Sequence, residues 1–416
     1  MNKRNRRILI FGLLVLVIAL AIPTVLAKDS KEVRFATFNA SLNRFSAGAL
    51  AAELSVPGSA QPDTIAEIIQ RTRPDVLLIN EFDYDADGGE DDSLAAQRFQ
   101  ENYLSVAHGD AEPIFYPYRY VAPSNTGIPS GRDLDKNGSV GGPNDAFGFG
   151  FFPGQYGMAV YSMYPIDFDN VRTFQLFLWK DMPDAMLPVD PDTGESWYDE
   201  EDLEVFRLSS KSHWDIPIMI ASEGNSSVKT VHFLVSHPTP PVFDGAEDRN
   251  GTRNNDEIRL WADYVIPSRS SYIYDDNGVT AGLAPGAMFV IAGDQNSDPL
   301  DGDSIPGSIQ QLTEHPLMNT KETPDSPGAV EQSGLQGDAN DSHLSDPAFD
   351  TADFNDNPAP GNLRADYVLP RKNLKIDDAG VFWPLSTDPL FPLVGTFPFP
   401  SSDHRLVWID VKVPSN

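Results

Sequence analysis

Short apolar runs along this chain alternate with long polar stretches. Val33–Phe38 alternates in polarity and is rich in β-forming residues, which predicts a strand. Ile65–Ile69 has helical spacing, and after a break that contains proline the run Val76–Ile79 predicts a buried strand. Strand, helix and strand in this order predict an α/β (α+β) fold built in layers.

Five further runs predict strands, at Gly157–Ser162, Val231–Val235, Ala287–Ala292, Asp366–Leu369 and Leu406–Val413. A helix is predicted over Asp256–Val265, because its apolar residues recur on one face. The polar stretches lie at 83–93, 122–155, 181–202, 244–255, 269–286 and 297–362. Loops this long are usually functional or poorly ordered. Since no linker divides the chain, we expect one domain over residues 28–416 with long loop insertions.

The N-terminal residues have the layout of a secretory signal peptide. A basic region comes first, formed by Lys3, Arg4, Arg6 and Arg7. An uncharged run, Ile8–Ile22, follows, and Val25-Leu26-Ala27 offers small residues for cleavage. We therefore expect residues 1–27 to be a signal peptide and the remainder to be secreted or periplasmic. An uncleaved membrane anchor is the alternative, because the run is near the shortest that crosses a bilayer.

Composition restricts the partners of the exported chain. Its formal charge is −31, and removal of residues 1–27 would take away four cations and no acids. Such a charge repels polyanions unless a metal ion or a local basic patch intervenes, so it does not favour nucleic acid as a partner. The chain has no cysteine, which excludes disulfides and a lipoprotein anchor. We expect a monomer, without stable membrane insertion once the signal peptide is cleaved.

Polar side chains occupy the ends of the predicted strands. In chain order they are Asn39, Glu81, His237, Asp294 with Asn296, Asp366, and Asp403 with His404. Side chains at strand ends can converge on one rim of a sheet, where active sites form because the strands are rigid and the loops vary. A single Asn or Asp at such a place is usually a turn former. The ordered set instead predicts an active site.

Carboxylate and amide oxygens are the ligands that hard cations such as Mg²⁺, Mn²⁺ and Ca²⁺ prefer. We expect Glu81 and Asp403 to be direct metal ligands, with Asn39 adding an oxygen. A metal ion held there would draw charge from a phosphoryl oxygen and offset charge on the leaving group.

The other strand-end residues suit acid–base chemistry. Asp294, with Asn296 two residues on, can position or deprotonate a water molecule. His404 can act as an acid or base, or contact phosphate as a cation. Asp366 would orient His404 and favour its protonated form.

These motifs resemble the endonuclease/exonuclease/phosphatase superfamily, which includes pancreatic-type deoxyribonucleases, apurinic endonucleases, neutral sphingomyelinases and inositol-polyphosphate 5-phosphatases. The resemblance rests on FATFNAS, PDVLLINEFD, QYGMAVYSMYPI, LVSHPTPP, VIAGDQNSDP, RADYVLP and SSDHRLVWIDV, between residues 33 and 413. It implies a four-layer sandwich in which two mainly antiparallel β-sheets are flanked by helices. It also implies metal-assisted in-line attack of water on a phosphate ester.

The resemblance also assigns roles to residues. It implies that Asn39, Glu81 and Asp403 lie near the metal, and that Asp294 and Asn296 contact the attacking water and the phosphate. It also implies that Asp366 pairs with His404 and that Tyr156 contacts the substrate. One departure concerns His237, whose counterpart in the deoxyribonuclease branch has a glutamate partner just before the Gln-Tyr pair. Gly154 stands at that position here. His237 can still hydrogen-bond the phosphate, but the analogy with those nucleases is weakened.

Two features lie outside these motifs. Asp133, Asp135 and Asn137 alternate as in a calcium loop, but Asn144 stands where an EF-hand has its bidentate glutamate. Both a structural Ca²⁺ and a solvated turn fit this segment. Arg253 lies close in sequence to the His237 strand, and we expect it to bind phosphate, the alternative being that it pairs with nearby acids.

The sequence thus predicts an exported divalent-metal-dependent hydrolase of phosphate esters, a phosphodiesterase or phosphatase, with Mg²⁺ or Mn²⁺ as cofactor and Ca²⁺ as a further candidate. A secreted endonuclease is the alternative, for which the chain offers aromatic residues at Phe147, Phe149, Phe151, Phe152 and Tyr156 but few cations. A non-catalytic calcium-dependent binding protein on the same scaffold would lack one of Glu81, Asp294 or His404, and all three are present.

Overall fold

The computed structural model describes residues 30–85, 93–221 and 228–414. Their strands, numbered along the chain, are β1 Ser30–Asn39, β2 Val76–Asn80, β3 Tyr118–Tyr120, β4 Met158–Ser162, β5 Arg172–Thr173, β6 His213–Ala221, β7 Val228–Ser236, β8 Met288–Asp294, β9 Ala352–Asp353, β10 Asn362–Leu363, β11 Asp366–Pro370, β12 Lys375–Val381 and β13 Val407–Pro414. The α-helices are α1 Ala49–Leu54, α2 Ala60–Thr72, α3 Leu94–Phe99, α4 Glu200–Leu203, α5 Arg249–Tyr264, α6 Gln310–Thr313 and α7 Pro327–Gln336. A π-helical turn, Gln100–Leu104, continues α3.

Two mixed sheets form the centre of the fold. The six-stranded sheet has the order β12-β13-β1-β2-β4-β3, and the five-stranded sheet has the order β11-β8-β7-β6-β5. Each contains one parallel pair, β1 with β2 and β7 with β8, and its other neighbours are antiparallel. The predicted α+β sandwich of two mainly antiparallel sheets flanked by helices is therefore confirmed.

Apolar residues fill the space between the two sheets and beneath the helices. Phe35 of β1 and Phe233 of β7 meet in the central core, with ring centroids 5.4 Å apart. The next residue of β7, Leu234, faces the other way and packs with Ile258 and Trp261 of α5. Full burial of one such side chain contributes roughly 1.5–3 kcal/mol. Alternation along the strands therefore produces helix, sheet, sheet and helix layers.

The seven strands predicted from sequence are all present, but β6, β12 and the short β3, β5, β9 and β10 were not predicted. Pro217 lies in the middle of β6, and proline usually argues against an interior strand. Here its carbonyl accepts a hydrogen bond from Asp167 on the side away from β7. The N–H that proline lacks would point to that same side, so the ladder to β7 loses nothing.

Two stretches predicted to be loops contain regular structure. Helix α5 begins at Arg249, inside the polar stretch 244–255, and eleven of its residues from Arg253 onward are buried. The stretch 297–362 contains α6, α7 and the small β9–β10 sheet. The polar side chains of these segments form hydrogen bonds with distant groups inside the protein. A polar sequence is therefore compatible with regular, buried structure here.

The predicted signal peptide lies outside the described residues, and its cleavage stays a prediction. In the ranges that the structure describes, no helix has the length and the apolar character needed to cross a membrane.

One buried histidine makes the stability of the fold depend on pH. His213, at the start of β6, is fully buried, and its ring nitrogens bond Ser209 Oγ at 2.7 Å and the Glu257 carbonyl at 2.9 Å. The carbonyl can only accept, so the Nε2–H donates to it and Nδ1 accepts from the hydroxyl. Burial lowers the pKa of His213 to about 4, so the folded protein holds the neutral ring.

We expect this histidine to reduce stability in acid. As pH falls from about 6.5 towards 4, the unfolded chain protonates His213 and the folded chain does not, at about 1.36 kcal/mol per pH unit. The difference in free energy of unfolding between wild type and His213→Gln should therefore shrink by about 2 kcal/mol between pH 7 and pH 5. Urea unfolding at both pH values measures it, and an identical pH dependence in the two proteins would contradict the assignment.

Candidate active site

The strand ends that carry the predicted site residues meet at one rim of the sandwich. β1 runs parallel to β2, and β7 to β8, so the C-terminal ends of each pair lie side by side. β11 and β13 run antiparallel to β8 and β1, so their N-terminal ends are at the same rim. Asn39 is thereby paired with Asn80, and Asp294 with Asp366.

Asp294 is the centre of the cluster. Its Oδ2 accepts a hydrogen bond from Asn39 Nδ2 at 3.0 Å and lies 3.3 Å from His237 Nε2 and 3.7 Å from His404 Nε2. Its Oδ1 accepts from the backbone N–H of Asn296 at 2.8 Å. Burial acts to raise the pKa of Asp294, but the charge of His404 and the hydrogen bonds outweigh it and hold that pKa below its usual value. Asp294 is therefore ionised.

His404 and Asp366 form a buried pair beside Asp294. His404 Nδ1 lies 2.8 Å from Asp366 Oδ2, which also accepts from Thr351 Oγ1 at 2.8 Å. Burial alone would lower the pKa of His404, yet Asp366 and Asp294 hold it well above its ordinary value. Burial raises the pKa of Asp366 to about 6, with Asp294 adding to the rise. His404 is thus a cation, with Nδ1–H donated to Asp366.

Glu81 and Asp403 face each other next to this pair. Glu81 has a left-handed backbone (φ 55°), rare for a residue with a side chain, and its Oε2 accepts from Asn43 Nδ2 at 2.8 Å. Burial raises the pKa of Glu81, and the charge of Asp403 raises it further. The carboxylate of Asp403 accepts from the hydroxyls of Ser41 and Ser402, at 3.4 and 3.3 Å.

A divalent cation suits this pair of carboxylates. An ion held by Glu81 and Asp403 would offset their mutual repulsion with the oxygen donors that hard cations prefer. The Asn39 side chain interacts with Glu81 as well as with Asp294, so its amide lies between these two carboxylates. Asp294, Asp366 and His404 also lie within ligand distance of one another. In the structure His404 Nδ1 is already bonded to Asp366 Oδ2 at 2.8 Å, so we place the metal at Glu81 and Asp403 instead.

Lys211 belongs to the site and was not predicted. Its side chain is buried just before β6, with Nζ 3.4 Å from the Pro238 carbonyl. Burial lowers its pKa, opposed by the charges of Glu257, Glu81 and Asp294. In the sequence, Lys211 is a cation shortly before an apolar run. Its place in the site was not predicted because that run was not recognised as strand β6.

The polar face of α5 holds the site loops together. Glu257 accepts hydrogen bonds from the backbone N–H groups of Ser210 at 2.6 Å and Thr239 at 2.7 Å. Asn254 Nδ2 donates to the carbonyls of Thr239 and Gln295 at 2.8 and 2.9 Å. Two side chains of one helix therefore fix the ends of β6, β7 and β8 relative to each other.

His237 is a neutral ring in this cluster. Burial lowers its pKa to about 4, and the charge of Lys211 adds to the effect. Its Nδ1 is buried, with no hydrogen-bond partner among the described residues. The glutamate partner expected by analogy cannot stand at Gly154, where φ is 92° and a Cβ would lie 2.5 Å from the Tyr84 carbonyl oxygen. Asn296, near His237, donates its Nδ2–H to the Pro238 carbonyl at 3.1 Å.

The structure places only one of the two predicted substrate-binding residues, Tyr156 and Arg253, at the site. Tyr156 lies at the rim of the site, where burial and the nearby Glu81 raise the pKa of its phenol. Arg253 is not brought to the cluster. It is buried, its guanidinium donates to the carbonyls of Leu208 at 2.8 Å and Phe147 at 2.5 Å, and it stacks on Phe206 at 4.6 Å. Its charge supports the backbone of the core, so we no longer assign it to phosphate.

The predicted calcium loop is a separate acidic cluster. Carboxylate oxygens of Asp133, Asp135 and Asp145 lie within 4.8 Å of one another, so Asp145 supplies the third acid. Asn137 instead caps the turn, since its N–H donates to Asp133 and its Oδ1 accepts from Ser139. Asn144 donates to Asp135 at 3.1 Å. Calcium at this loop stays a prediction.

Comparison with known proteins was made on both sequence and structure. A model of the Endonuclease/Exonuclease/phosphatase family matches residues 36–404. A search of the curated proteins found no match.

Solved structures of low sequence identity are similar in fold. An endonuclease/exonuclease/phosphatase from Beutenbergia cavernae DSM 12333 is 17% identical, with 92% of this chain and 72% of that chain covered and a TM-score of 0.47. Truncated Caenorhabditis elegans TDP2 is 15% identical, with 92% and 98% covered and a TM-score of 0.39. Sphingomyelinase C from Streptomyces griseocarneus is 13% identical, with 92% and 99% covered and a TM-score of 0.39.

Metal binding at the facing carboxylates should be visible as thermal stabilisation. Mg²⁺ or Mn²⁺ at 100 times its dissociation constant should add about 2.7 kcal/mol to the free energy of unfolding. Glu81→Gln should lose most of this gain, because it removes one of the two carboxylates. Asp135→Asn, in the separate acidic cluster, should keep it. Thermal unfolding with each ion and with EDTA measures the shift, and equal stabilisation of Glu81→Gln and wild type would place the metal elsewhere.

Proposed function

Because this chain belongs to the Endonuclease/Exonuclease/phosphatase family, we propose that it is an exported, divalent-metal-dependent hydrolase of phosphate esters. Members of the family are generally metal-dependent hydrolases of this kind. The observation that carries the proposal is the cluster at the rim, in which Oδ2 of ionised Asp294 lies 3.7 Å from Nε2 of a protonated His404, and in which the charge of Asp403 acts on the neighbouring Glu81. Export is supported by the sequence of residues 1–27.

Asp294 orients the attacking water. Its strongly lowered pKa makes it a weak base, so its main contribution is a fixed acceptor for the water O–H, rather than full removal of a proton. Asn39 and the Asn296 N–H hold the carboxylate in place. Water bound there is aligned before the reaction begins, which lowers the entropic cost of attack.

His404 and Lys211 supply positive charge to the phosphoryl group. The imidazolium of His404 is fixed by Asp366 and cannot rotate without losing that hydrogen bond. Preorganised donors of this kind stabilise charge that develops in the transition state. The neutral ring of His237 adds a further polar contact. Glu81 and Asp403 would hold the divalent cation, which when bound offsets charge on the phosphoryl and leaving-group oxygens.

The charge balance of the site favours esters of low charge. The cations of the cluster, Lys211 and His404, together with one divalent cation would balance the carboxylates of Asp294, Asp366, Glu81 and Asp403, which leaves little net positive charge for the substrate. A phosphodiester carries one negative charge and a monoester close to two at neutral pH. The diester therefore needs less neutralisation, and we favour phosphodiesters over monoesters as substrates.

Removing the imidazole should abolish most of the activity. We expect His404→Ala to lower kcat on bis-p-nitrophenyl phosphate roughly 10²–10⁴-fold, the usual worth of a positioned acid–base group. His343→Ala, at a histidine bonded to the Pro360 carbonyl outside the cluster, should be unaffected. EDTA should abolish turnover, and Mg²⁺, Mn²⁺ or Ca²⁺ should restore it.

The same assay separates the substrate classes. Faster hydrolysis of the diester than of p-nitrophenyl phosphate would support a phosphodiesterase, and the reverse would indicate a phosphatase. Absence of metal-dependent turnover on both esters and on plasmid DNA would refute the proposed function.

Replacing Lys211 tests whether its charge reaches the phosphate. Lys211→Met should raise KM and lower kcat/KM roughly 10–100-fold, which corresponds to loss of one charged hydrogen bond. Lys211→Arg should restore part of the loss, because it keeps the charge. Lys180→Met, at a lysine paired with Glu204 away from the site, is the control. An unchanged KM in Lys211→Met would remove Lys211 from substrate binding.

A further inference from the structure

The most exposed large apolar side chains of the described chain belong to loops of the active-site rim. They are Phe45, Phe243 and Phe397, at 98%, 86% and 81% exposure. Phe45 comes six residues after Asn39, and Phe243 six residues after His237. Phe397 comes six residues before Asp403. Single exposed apolar residues are ordinary, but three phenylalanines this exposed, each on a loop that carries a site residue, indicate a contact surface.

A second aromatic group adjoins this end. Phe149 and Phe151 are 49% and 65% exposed, and their ring centroids are 5.6 Å apart. Tyr156, at the rim of the site, has its ring 6.4 Å from that of Phe149. The three rings are therefore continuous from the solvent to the edge of the active site.

Buried polar side chains join these rings to the loop of Phe45. Gln155, almost fully buried, donates from Nε2 to the Arg44 carbonyl at 2.8 Å and accepts at Oε1 from the Phe151 N–H at 2.7 Å. Asp83 accepts from the N–H groups of Arg44 at 2.7 Å and Tyr156 at 3.0 Å. Phe45, Phe149, Phe151 and Tyr156, called here the aromatic rim, thus stand on a fixed base. Asp83 is two residues from Glu81, so this base adjoins the proposed metal ligands.

The aromatic rim has little free positive charge around it. Arg44, the cation next to Phe45, bonds Glu53 at 2.6 Å, the Asn43 carbonyl at 2.7 Å and Gln61 at 3.1 Å. The whole chain carries a formal charge of −31. Anionic membranes attract basic segments, and nucleic-acid strands need a basic groove beside their stacking residues. In the described segments that carry the aromatic rim, 40–48 and 147–156, Arg44 is the only cation and it is already bonded, so the rim favours an uncharged apolar surface, which needs only the rings.

We propose that the aromatic rim docks the active site onto an uncharged lipid surface, a bilayer of zwitterionic phospholipid. Exposed phenylalanine rings gain free energy by leaving water for the boundary between headgroups and acyl chains, and Tyr156 can bury its ring there while its hydroxyl stays in contact with water. The site would then face the phosphate esters of that surface. This consequence for the substrate rests on the proposed phosphoesterase activity, while the docking itself does not.

Vesicle binding without turnover tests the docking directly. The full chain is sedimented in EDTA with phosphatidylcholine vesicles, and with vesicles that also contain phosphatidylglycerol. The test variant is Phe45→Ser with Phe151→Ser. The matched control is Phe115→Ser with Phe168→Ser, two phenylalanines at 64% and 47% exposure, outside the loops of the active-site rim.

We expect wild type and the control to bind phosphatidylcholine equally, and the test variant to bind about tenfold more weakly or worse. Anionic lipid should weaken the binding of wild type, because the chain is acidic. No sedimentation of wild type with neutral vesicles, or equal binding by the test variant, would overturn the proposal. Binding of a single-stranded oligonucleotide that the test variant loses, with vesicle binding unchanged, would overturn it in favour of base stacking.

An activity arm separates this proposal from the proposed function. The test variant should hydrolyse soluble bis-p-nitrophenyl phosphate within about twofold of wild type, and vesicle phosphodiesters about tenfold more slowly. Equal losses on both substrates would show damage to the site and overturn a docking role. Absence of turnover by wild type on either substrate would refute the proposed function, while the sedimentation result would still decide the docking.

Discussion

Asp294 is a carboxylate with 1% of its surface exposed, and it is ionised. An unpaired charge in such a place costs several kcal/mol, so the protein must surround it with donors and a cation. Asn39 comes from the first sheet, His237 from the end of β7 in the second, and His404 from the segment before β13. These contacts join the two sheets at the rim. The charge that organises the site therefore also ties the two sheets together at this end of the apolar core.

Helix α5 carries the next part of this arrangement. Three of its buried polar side chains satisfy backbone groups of other segments. Glu257 joins the segments before β6 and after β7, Asn254 joins those after β7 and β8, and Arg253 supports 206–208. A charged residue in the core is stable only with such partners. The helix thus holds Lys211 and His237 at fixed positions beside Asp294 without touching a substrate.

The chain is strongly acidic, with 61 acidic residues against 30 basic ones, and the three most exposed phenylalanines of the described residues lie on loops that carry active-site residues. Acidic side chains are well solvated, whereas the aromatic rim is a part of the surface that gains from leaving water. The buried Gln155 and Asp83 keep that rim in place beside Glu81.

Sequence alone determined the layers and the strand-end set. The alternation of apolar residues shows which face of a strand is buried, and this is a local property of the sequence. Seven strands, and the convergence of Asn39, Glu81, Asp294 and His404 at their ends, could therefore be predicted. The tertiary structure decided what depends on distant partners. Pro217 fits β6 because the side of the residue that lacks an N–H faces Asp167 and not β7. Carbonyl groups far along the chain hold Arg253 in the core. Carboxylates from other segments stabilise the charge of Lys211. Buried polar groups are stabilised by long-range hydrogen bonds and charges, and these leave no periodic trace in the sequence.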